Sequence, residues 1–271
     1  MQNVIMAKGL TKIYHSAMGA GEVRAIDNVD LNVARGDFIG IMGPSGSGKT
    51  TLLNLLCGID SVTSGEAHID GKDITKMKRN ELALFRRRKI GYIFQDFNLL
   101  DSLSVKENIA LPLILDKHEP KQIEETISNL LNFFGIAHIS GKAPYNISGG
   151  EKQRVAAARA LSVNPAVCYA DEPTGNLDSK SSTNIMEMLT DMNDNGGTTI
   201  LMVTHDAFAA SYCKRIIFIN DGKITLQLNR VGQRREFFDK ILETLSYLEA
   251  GHSPFANCSH MHPGRVSNDL S

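Results

Sequence analysis

The sequence has 271 residues, of which 42% are hydrophobic and 22% are charged, and its formal net charge is −1. A chain of this length and composition can bury a sizeable core, as one large α/β domain or as two small ones. The near-neutral charge excludes the overall basic field that holds nucleic acid or anionic lipid nonspecifically.

No stretch of the sequence contains the roughly 18 apolar residues needed to cross a bilayer, and the first residues lack the pattern of a signal peptide. We therefore expect any membrane role to depend on a partner. The four cysteines are scattered without a CxxC spacing, which predicts reduced thiols in a cytosolic protein.

The first part of the chain has the signs of antiparallel β structure. Polar and apolar residues alternate over residues 28–33, which is typical of a half-buried antiparallel strand. An earlier candidate strand lies near residues 4–7, and a glycine-bearing turn at 17–21 separates the two. Asp70-Gly71 predicts a further hairpin.

An apolar run at residues 38–42 leads directly into a glycine-rich loop that is typical of phosphate binding. Its glycines allow successive backbone N–H groups to turn toward one point, at the positive end of the helix that follows. Lys49 is expected to reach the β and γ phosphates, and the Thr50 hydroxyl is expected to hold a magnesium ion. A chance glycine loop is the alternative, which the strand before the loop and the helix after it disfavour. The predicted nucleotide-binding residues here are Gly43, Pro44, Ser45, Gly46, Ser47, Gly48, Lys49, Thr50 and Thr51.

The rest of the chain predicts a buried sheet interrupted by helices. A leucine-rich helix after the loop is too apolar to be exposed and should lie against the sheet. Continuous apolar runs at 166–170, 199–203 and 216–219 predict central strands that are covered on both faces. Between the loop and these strands, an insertion at roughly 95–160 has helical periodicity, which is clearest before Gly135.

Two carboxylates, Asp171 and Glu172, follow the apolar run at 166–170. Polyphosphate hydrolysis needs such a pair: Asp171 would hold the magnesium ion through water, and Glu172 would orient and polarise the attacking water. A strand that merely ends in acids at a turn is a common alternative, which the phosphate loop upstream disfavours.

Two further side chains follow predicted strands. His205 comes after the run at 199–203, at the sheet edge where ligands of α/β proteins lie, and it can contact the γ phosphate there. An isolated histidine is more often structural, so this role depends on its placement. Gln95 could supply a second magnesium contact, although solvent-facing glutamines are common and the residue alone says nothing.

The segment Ser148-Gly149-Gly150-Glu151 is a capping box, in which serine is followed three residues later by glutamate, and it predicts a helix N-terminus. The serine hydroxyl, the glycine N–H groups and the helix dipole also form a second anion cradle. One phosphate group does not need two cradles from one chain. Two chains that face each other head to tail are therefore the economical hypothesis.

Together these motifs resemble those of ATP-binding-cassette (ABC) transporter ATPase subunits. The matches occur in order over residues 4 to about 228, beginning with Tyr14, which stands where the family stacks an aromatic ring on adenine. Gly43–Thr50 matches the Walker A loop of the family, Gln95 matches its Q-loop, and Ser148–Glu151 matches its signature. Asp171-Glu172 matches its Walker B pair, Gly175–Asp178 matches its D-loop, and His205 matches its switch histidine. Glu151 is a departure, because the family usually has glutamine there.

The resemblance implies an α/β fold of the P-loop NTPase type, with a RecA-like core, an antiparallel β subdomain and a helical signature subdomain. It implies a subunit that binds and hydrolyses ATP with Mg²⁺ and pairs with a second copy around two ATP molecules. Ser148, Gly149, Gly150 and Asp178 would then contribute across the dimer interface. It also implies a membrane permease partner at the cytoplasmic face of the membrane, and no nucleic acid.

Within the family, the turn at 16–22 and the stretches at 97–100 and 171–178 are similar to the lipoprotein-release and macrolide-export branch. Residues 234–242 resemble the C-terminal extension of its bacitracin and antimicrobial-peptide resistance members. The resemblance therefore implies export or removal of antimicrobial peptides or lipid-linked substrates.

Residues 4–228 are expected to form the ATP-binding domain, residues 229–250 an amphipathic helix, and residues 251–271 a disordered tail. Apolar residues at helical spacing predict that the helix packs on the domain surface rather than docking to a partner: Phe237, Phe238, Ile241, Leu242, Leu245 and Leu248. In the tail, disorder is favoured over a metal site for His252, Cys258, His260 and His262. The basic run Arg86–Lys89 is interpreted as a solvated face.

Two alternatives from other functional classes stay open at the level of the sequence. A soluble ABC ATPase that acts on DNA or ribosomes usually carries paired cassettes, coiled coils or zinc modules, and none is visible in this single cassette. A P-loop kinase would need a phosphoacceptor site.

Overall fold

The computed structural model describes residues 2–15 and 21–249. The predicted turn at 17–21 lies almost entirely outside these residues, as does the tail with its histidines and Cys258. The described strands are β1 (Asn3–His15), β2 (Glu22–Ala34), β3 (Phe38–Met42), β4 (Ser64–Ile69), β5 (Lys72–Asp73), β6 (Ile90–Ile93), β7 (Val167–Asp171), β8 (Ile200–Val203), β9 (Arg215–Asn220) and β10 (Lys223–Asn229). The described helices are α1 (Lys49–Leu56), α2 (Arg79–Lys89), α3 (Val105–Leu115), α4 (Pro120–Phe133), α5 (Gly149–Leu161), α6 (Ser179–Asp194), α7 (Ala207–Ala210) and α8 (Arg234–Glu249).

The predicted antiparallel structure is confirmed as a four-stranded sheet with the order β2-β1-β4-β5. In β2, Val29, Leu31 and Val33 are buried, and the polar residues between them face solvent. The hairpin predicted at Asp70-Gly71 joins β4 to β5, and both of its turn residues have positive φ, as a two-residue hairpin loop requires.

The central sheet has the order β10-β9-β3-β8-β7-β6, and its strands are parallel except for β10 at one edge. Side chains of β3 alternate between two apolar clusters. Phe38 and Met42 face the helices α3 to α8, whereas Ile39 and Ile41 face α1 and the antiparallel sheet. This double coverage explains why the predicted central strands are continuously apolar.

Helices α3, α4 and α5 lie between β6 and β7, and α4 ends before Gly135, which has a φ of 64°. Helix α8 packs Phe237 and Ile241 into the core. It begins at Arg234 rather than near residue 229, because residue 229 is the last of β10 and a short loop at 230–233 follows. The prediction that Leu242 packs on the domain was wrong, because this residue is 43% exposed. In the described part of the chain, no helix is both long and apolar enough to cross a bilayer.

The interpretation of the basic run as a solvated face was wrong for Arg86 and Arg87, which are half-buried, whereas Arg88 and Lys89 are exposed as expected. All four side chains tie the last turn of α2 to three neighbouring segments. The bonds are Arg86 Nη1 to the Gly58 carbonyl (2.6 Å), Arg87 Nη1 to the Leu115 carbonyl (2.8 Å), Arg88 Nε to Asp116 (2.7 Å) and Lys89 Nζ to Asp70 (2.9 Å).

The glycine-rich loop after β3 packs tightly between two strands, β2 and β9. A Cβ atom at Gly48 would lie 2.4 Å from the carbonyl oxygen of Ala25 in β2, and one at Gly43 would lie 2.1 Å from the carbonyl oxygen of Ile219 in β9. Gly48 also has a left-handed φ of 101°. Gly46 has a similar φ of 77°, but a Cβ there would meet no atom within 4 Å.

We therefore expect Gly48→Ala to lower the free energy of unfolding by about 2–4 kcal/mol, because left-handed strain adds to a clash with the main chain. Gly46→Ala is the matched control and should cost only about 1 kcal/mol, since it brings the strain without the clash. Urea denaturation without nucleotide measures both. Equal losses for the two variants would contradict this account of the packing.

Candidate active site

The carboxyl ends of β3, β8 and β7 lie side by side and bring three predicted motifs to one sheet edge. Main-chain hydrogen bonds extend the sheet past the strand ends: the N–H of Thr204 donates to Ile41 O at 3.1 Å, and the N–H of Glu172 donates to Val203 O at 2.9 Å. The phosphate loop, the two carboxylates and His205 are therefore held in register by the backbone.

The phosphate loop leads into α1, whose N-terminus is open. Gly48 is the N-cap and provides no side-chain cap, and the first turn of the helix contains no acidic residue. The N–H groups of this turn are therefore available to an external anion. A cleft of about 480 Å³ lies over them, and its lining includes Ser45, Gly46, Lys49, Thr50, Thr51 and Glu172.

The ammonium group of Lys49 is folded back on the loop. It donates to the carbonyl oxygens of Gly43 at 2.9 Å and Pro44 at 2.7 Å. Burial lowers the pKa of Lys49, while the carboxylates of Glu172 and Asp171 act in the opposite direction. A phosphate group would supply the negative partner that these carbonyl dipoles only partly replace.

Asp171 lies at the end of β7, and its Oδ1 is 3.5 Å from the hydroxyl of Thr50. Burial raises the pKa of Asp171, and the neighbouring Glu172 raises it further. The hydroxyl group of Tyr92, from the adjacent strand β6, acts in the opposite direction and lowers the pKa of Asp171. A hard divalent cation prefers oxygen ligands of this kind.

Glu172 occupies a backbone conformation that few glutamates adopt, with a φ of 45°. Its Oε2 lies 2.9 Å from Nδ1 of His205, and the two side chains are 21% and 67% exposed, respectively. Glu172 also lines a second cleft of about 500 Å³, together with Thr204 and His205. The carboxylate therefore stands between the phosphate cleft and His205. Such backbone strain is costly and is concentrated at functional sites.

Gln95 lies against the turn that follows Glu172, although it lines neither cleft. A Cβ atom at Gly175 would lie 3.1 Å from Gln95 Nε2. The side chain of Asn176 donates to Gln95 O at 3.1 Å and to Asp96 Oδ1 at 3.0 Å. These contacts join the predicted Q-loop to the predicted D-loop.

The capping box predicted at Ser148 is confirmed. Both the N–H and the hydroxyl of Ser148 donate to Glu151 Oε2 at 2.8 Å, and the N–H of Glu151 donates back to the hydroxyl at 3.3 Å. Bonds from the Ser148 N–H and hydroxyl hold the pKa of Glu151 below its usual range. The second cradle thus holds the carboxylate of Glu151 from its own chain, as a capping box does.

The structure does not bring Ser148 into the phosphate cleft. Ser148 is exposed, and it lines neither of the two clefts. Gly149 and Gly150 instead lie against Leu177 and Ser181, next to the predicted D-loop.

Asp178 and Tyr14 also make contacts that the sequence analysis did not assign. Asp178 caps α6, since its carboxylate accepts from the N–H of Ser181 at 2.9 Å and from the Ser181 hydroxyl at 2.7 Å. Tyr14 is 43% exposed as a residue, and its hydroxyl donates to Asp60 at 2.7 Å.

Two residues near the site escaped the sequence analysis. Tyr92 became relevant only when the sheet order placed β6 beside β7. Arg159 in α5 donates to the carbonyl oxygens of Phe97 at 2.9 Å and Asn98, two residues with left-handed φ values of 62° and 47°. A single arginine in a helix gives no signal of such a main-chain contact.

Comparisons with known proteins agree with this geometry. The family model described as ABC transporter matches residues 26–175. The chain is 50% identical to the uncharacterised ABC transporter ATP-binding protein YvcR of Bacillus subtilis, over 94% of this chain and 98% of that protein. It is 46% identical to the bacitracin export ATP-binding protein BceA of Halalkalibacterium halodurans, over 90% and 96% of the two chains.

The chain is also 39% identical to the lipoprotein-releasing system ATP-binding protein LolD of Pseudoalteromonas translucida, over 83% of this chain and 96% of that protein. Among solved structures, it resembles the dimeric ATP-binding cassette MJ0796 in a post-hydrolysis state with ADP and Pi. The TM-score is 0.76 at 38% identity, over 84% of this chain and 100% of that one. These relatives confirm both the predicted cassette fold and the predicted branch. The chain belongs to the family of ABC transporter ATP-binding proteins, and it is an ATPase of that family.

Proposed function

We propose that two copies of this chain bind two ATP molecules between them and use the cycle of closure and hydrolysis to drive a membrane permease. In each composite site, Gly43–Thr51 of one copy holds the phosphates and Ser148–Gly150 of the other closes over them. The observation that carries the proposal is the position of Glu172, between the phosphate cleft and His205.

Two features support the pairing of two copies. Within one chain, Ser148 lines neither cleft, so it needs a second molecule to meet a phosphate group. The related cassette MJ0796 has been solved as a dimer with ADP and Pi. Asp178 lies beside the signature, capping α6, and would stand at the same interface.

The residues around Thr50 fit a magnesium ion. The Thr50 hydroxyl and Asp171 Oδ1 are 3.5 Å apart and are both oxygen ligands, with Gln95 as a further candidate. Bound Mg²⁺ would neutralise charge on the phosphate oxygens. Asp171 is largely buried and its pKa is raised, which fits a carboxyl group whose natural partner is a cation.

The protein side chains divide the hydrolysis step between them. Glu172 orients the attacking water and accepts its proton, because its carboxylate borders the phosphate cleft. His205 holds that carboxylate at 2.9 Å from the side away from the phosphate cleft. Its ring would have to turn past the carboxylate to contact the γ phosphate. Lys49 leaves the carbonyls of Gly43 and Pro44 to bind the β and γ phosphates. Tyr14 offers the exposed face of its ring to the adenine.

We propose that the permease docks in a groove beside the Q-loop. The groove has a volume of about 400 Å³, and its lining is apolar with three arginines and no acidic residue: Ala83, Arg86, Arg87, Ile90, Gly91, Tyr92, Phe94, Asn98, Leu111, Pro112, Leu115, Arg159, Ala160 and Val163. This chemistry fits a short amphipathic segment with a carboxylate. Arg159 also donates to the main chain of residues 97–98, close to Gln95 in the chain. A partner bound in the groove could therefore shift the loop that contains Gln95.

The chain would then divide into an ATP-binding domain at 4–228, with a helical subdomain at about 95–160, and a C-terminal appendage at 229–250 that contains α8. It would work at the cytoplasmic face of the membrane through its permease. The relatives BceA, a bacitracin export protein, and LolD, a lipoprotein-releasing protein, support the export of antimicrobial peptides or of lipid-linked substrates.

We expect Glu172→Gln to bind ATP normally but to hydrolyse it at least about 100-fold more slowly, because the amide cannot accept the proton from water. The variant should accumulate as an ATP-bound dimer, which size-exclusion chromatography with light scattering detects. Steady-state hydrolysis at the wild-type rate would contradict the role of Glu172.

The permease proposal is tested by purification of the tagged chain from a detergent extract, with mass spectrometry of what accompanies it. A protein with several membrane spans should co-purify with wild type, and Leu115→Asp should lose it, because an acidic residue would then stand in the groove. Ile114→Asp is the matched control: residues 114 and 115 are 53% and 52% exposed, but only Leu115 lines the groove. Recovery of nucleic acid instead, or equal recovery with both variants, would contradict the proposal.

A further inference from the structure

A small polar cluster holds the ring of Tyr14 in place, and we call it the Tyr14 clasp (Lys12, Tyr14 and Asp60). The Tyr14 hydroxyl donates to Asp60 Oδ2 at 2.7 Å. The ammonium group of Lys12 donates to Asp60 Oδ1 at 2.7 Å and to Ser61 O at 2.7 Å. The same nitrogen lies 4.8 Å from the centre of the Tyr14 ring, within the range of a cation–π contact.

The charged groups of the clasp have few other hydrogen-bond partners within reach. Lys12 is buried, and both oxygens of Asp60 are occupied, since the N–H of Ser61 also donates to Oδ1 at 2.7 Å. Burial acts to raise the pKa of Asp60, but the hydrogen bonds from Lys12 and Tyr14 outweigh it and the pKa lies below its ordinary value. Asp60 is therefore a carboxylate at neutral pH, and it accepts the hydrogen bonds from Lys12 and Tyr14 in that charged form.

The clasp connects the Tyr14 ring to the helix that starts at the phosphate loop. Asp60 lies in the turn after α1, and its N–H donates to the carbonyl oxygen of Asn54 in that helix at 3.1 Å. Thr51 of the same helix lines the phosphate cleft. The position of the ring relative to the phosphate cradle is thus linked to α1 through the Tyr14–Asp60 hydrogen bond.

We propose that Asp60 is a positioning residue for nucleotide binding, which holds the Tyr14 ring at the place where the base stacks. The inference rests on the proposed role of Tyr14 as the adenine platform. A free tyrosine side chain would lose rotational freedom when the base binds, and that loss would weaken binding. Because the clasp orders the ring during folding, the nucleotide meets a surface that is already in place.

The test measures ADP binding to the full chain by isothermal titration calorimetry, since ADP reports on base and phosphate contacts without hydrolysis. Tyr14→Ala should weaken binding about tenfold through the loss of stacking. Asp60→Ala and Tyr14→Phe should each weaken it by about three- to fivefold, because each frees the ring but keeps the rest of the site. The double variant Tyr14→Phe/Asp60→Ala should bind no more weakly than either single variant, since the two changes remove one interaction.

A positioning role also predicts a kinetic split. Asp60→Ala should raise KM for ATP and leave kcat unchanged, whereas general damage to the fold would lower both. Asp37→Ala is the matched control: its carboxylate is 32% exposed, compared with 28% for Asp60, and it pairs with Arg215 near the opposite end of β3. This control should bind ADP as wild type does.

The outcomes distinguish the role of Tyr14 as the adenine platform from the role of Asp60 in positioning it. If Tyr14→Ala binds ADP as tightly as wild type, the platform itself is wrong. If Tyr14→Ala weakens binding but Asp60→Ala does not, or if the losses of Tyr14→Phe and Asp60→Ala add, the platform survives and the positioning role of Asp60 is overturned. Should Asp60→Ala fail to fold, Asp60→Asn keeps an acceptor for Tyr14 and should show a smaller loss in the same direction; an unchanged affinity would again overturn the proposal.

Discussion

The hydrogen-bonded register of β3, β8 and β7 is the constraint on which the rest of the site depends. It places the phosphate loop, His205 and the carboxylates of Asp171 and Glu172 at the ends of three adjacent parallel strands. The loop is then fixed from outside by its two glycine contacts with β2 and β9. Because these are main-chain contacts, the distance between the phosphate cradle and Glu172 varies little with surface side chains. The remaining freedom lies in the segments that join this frame to the helices.

Three of those segments meet at one junction. Asn176, in the turn after Glu172, bonds to Gln95 and Asp96, and Arg159 in the signature helix bonds to the next two residues of the same loop. A displacement of α5 would therefore be transmitted through Arg159 to the loop that contains Gln95. Asn176 would transmit it from this loop to the turn beside Glu172. The two left-handed residues within it, Phe97 and Asn98, store strain that these bonds hold in place. This junction connects the groove proposed for the permease with the carboxylate proposed to activate water.

Much of this could be predicted from the sequence, because local pattern and local chemistry agree there. The phosphate loop, the buried parallel strands, the capping box at Ser148 and the antiparallel sheet each follow from residue spacing alone. The errors came from contacts between distant segments. Arg86 and Arg87 looked like solvent-facing charges, but their partners are carbonyl groups at the ends of other elements. Likewise, nothing near Tyr14 in the sequence indicates that Asp60 and Lys12 fold against it.

The proposed function requires a composite site whose two halves come from different molecules, since Ser148 and the phosphate cleft are separate within one molecule. Cross-linking of two singly substituted chains tests the joining most directly: Ser45→Cys in one and Ser148→Cys in the other, both with Glu172→Gln and Cys258→Ser. Both serines are exposed, and Cys57, Cys168 and Cys213 are buried, so a short bis-maleimide should react mainly at the new thiols. The account predicts a covalent dimer that forms with ATP and not without it. No cross-link with ATP, or equal cross-linking in its absence, would contradict it.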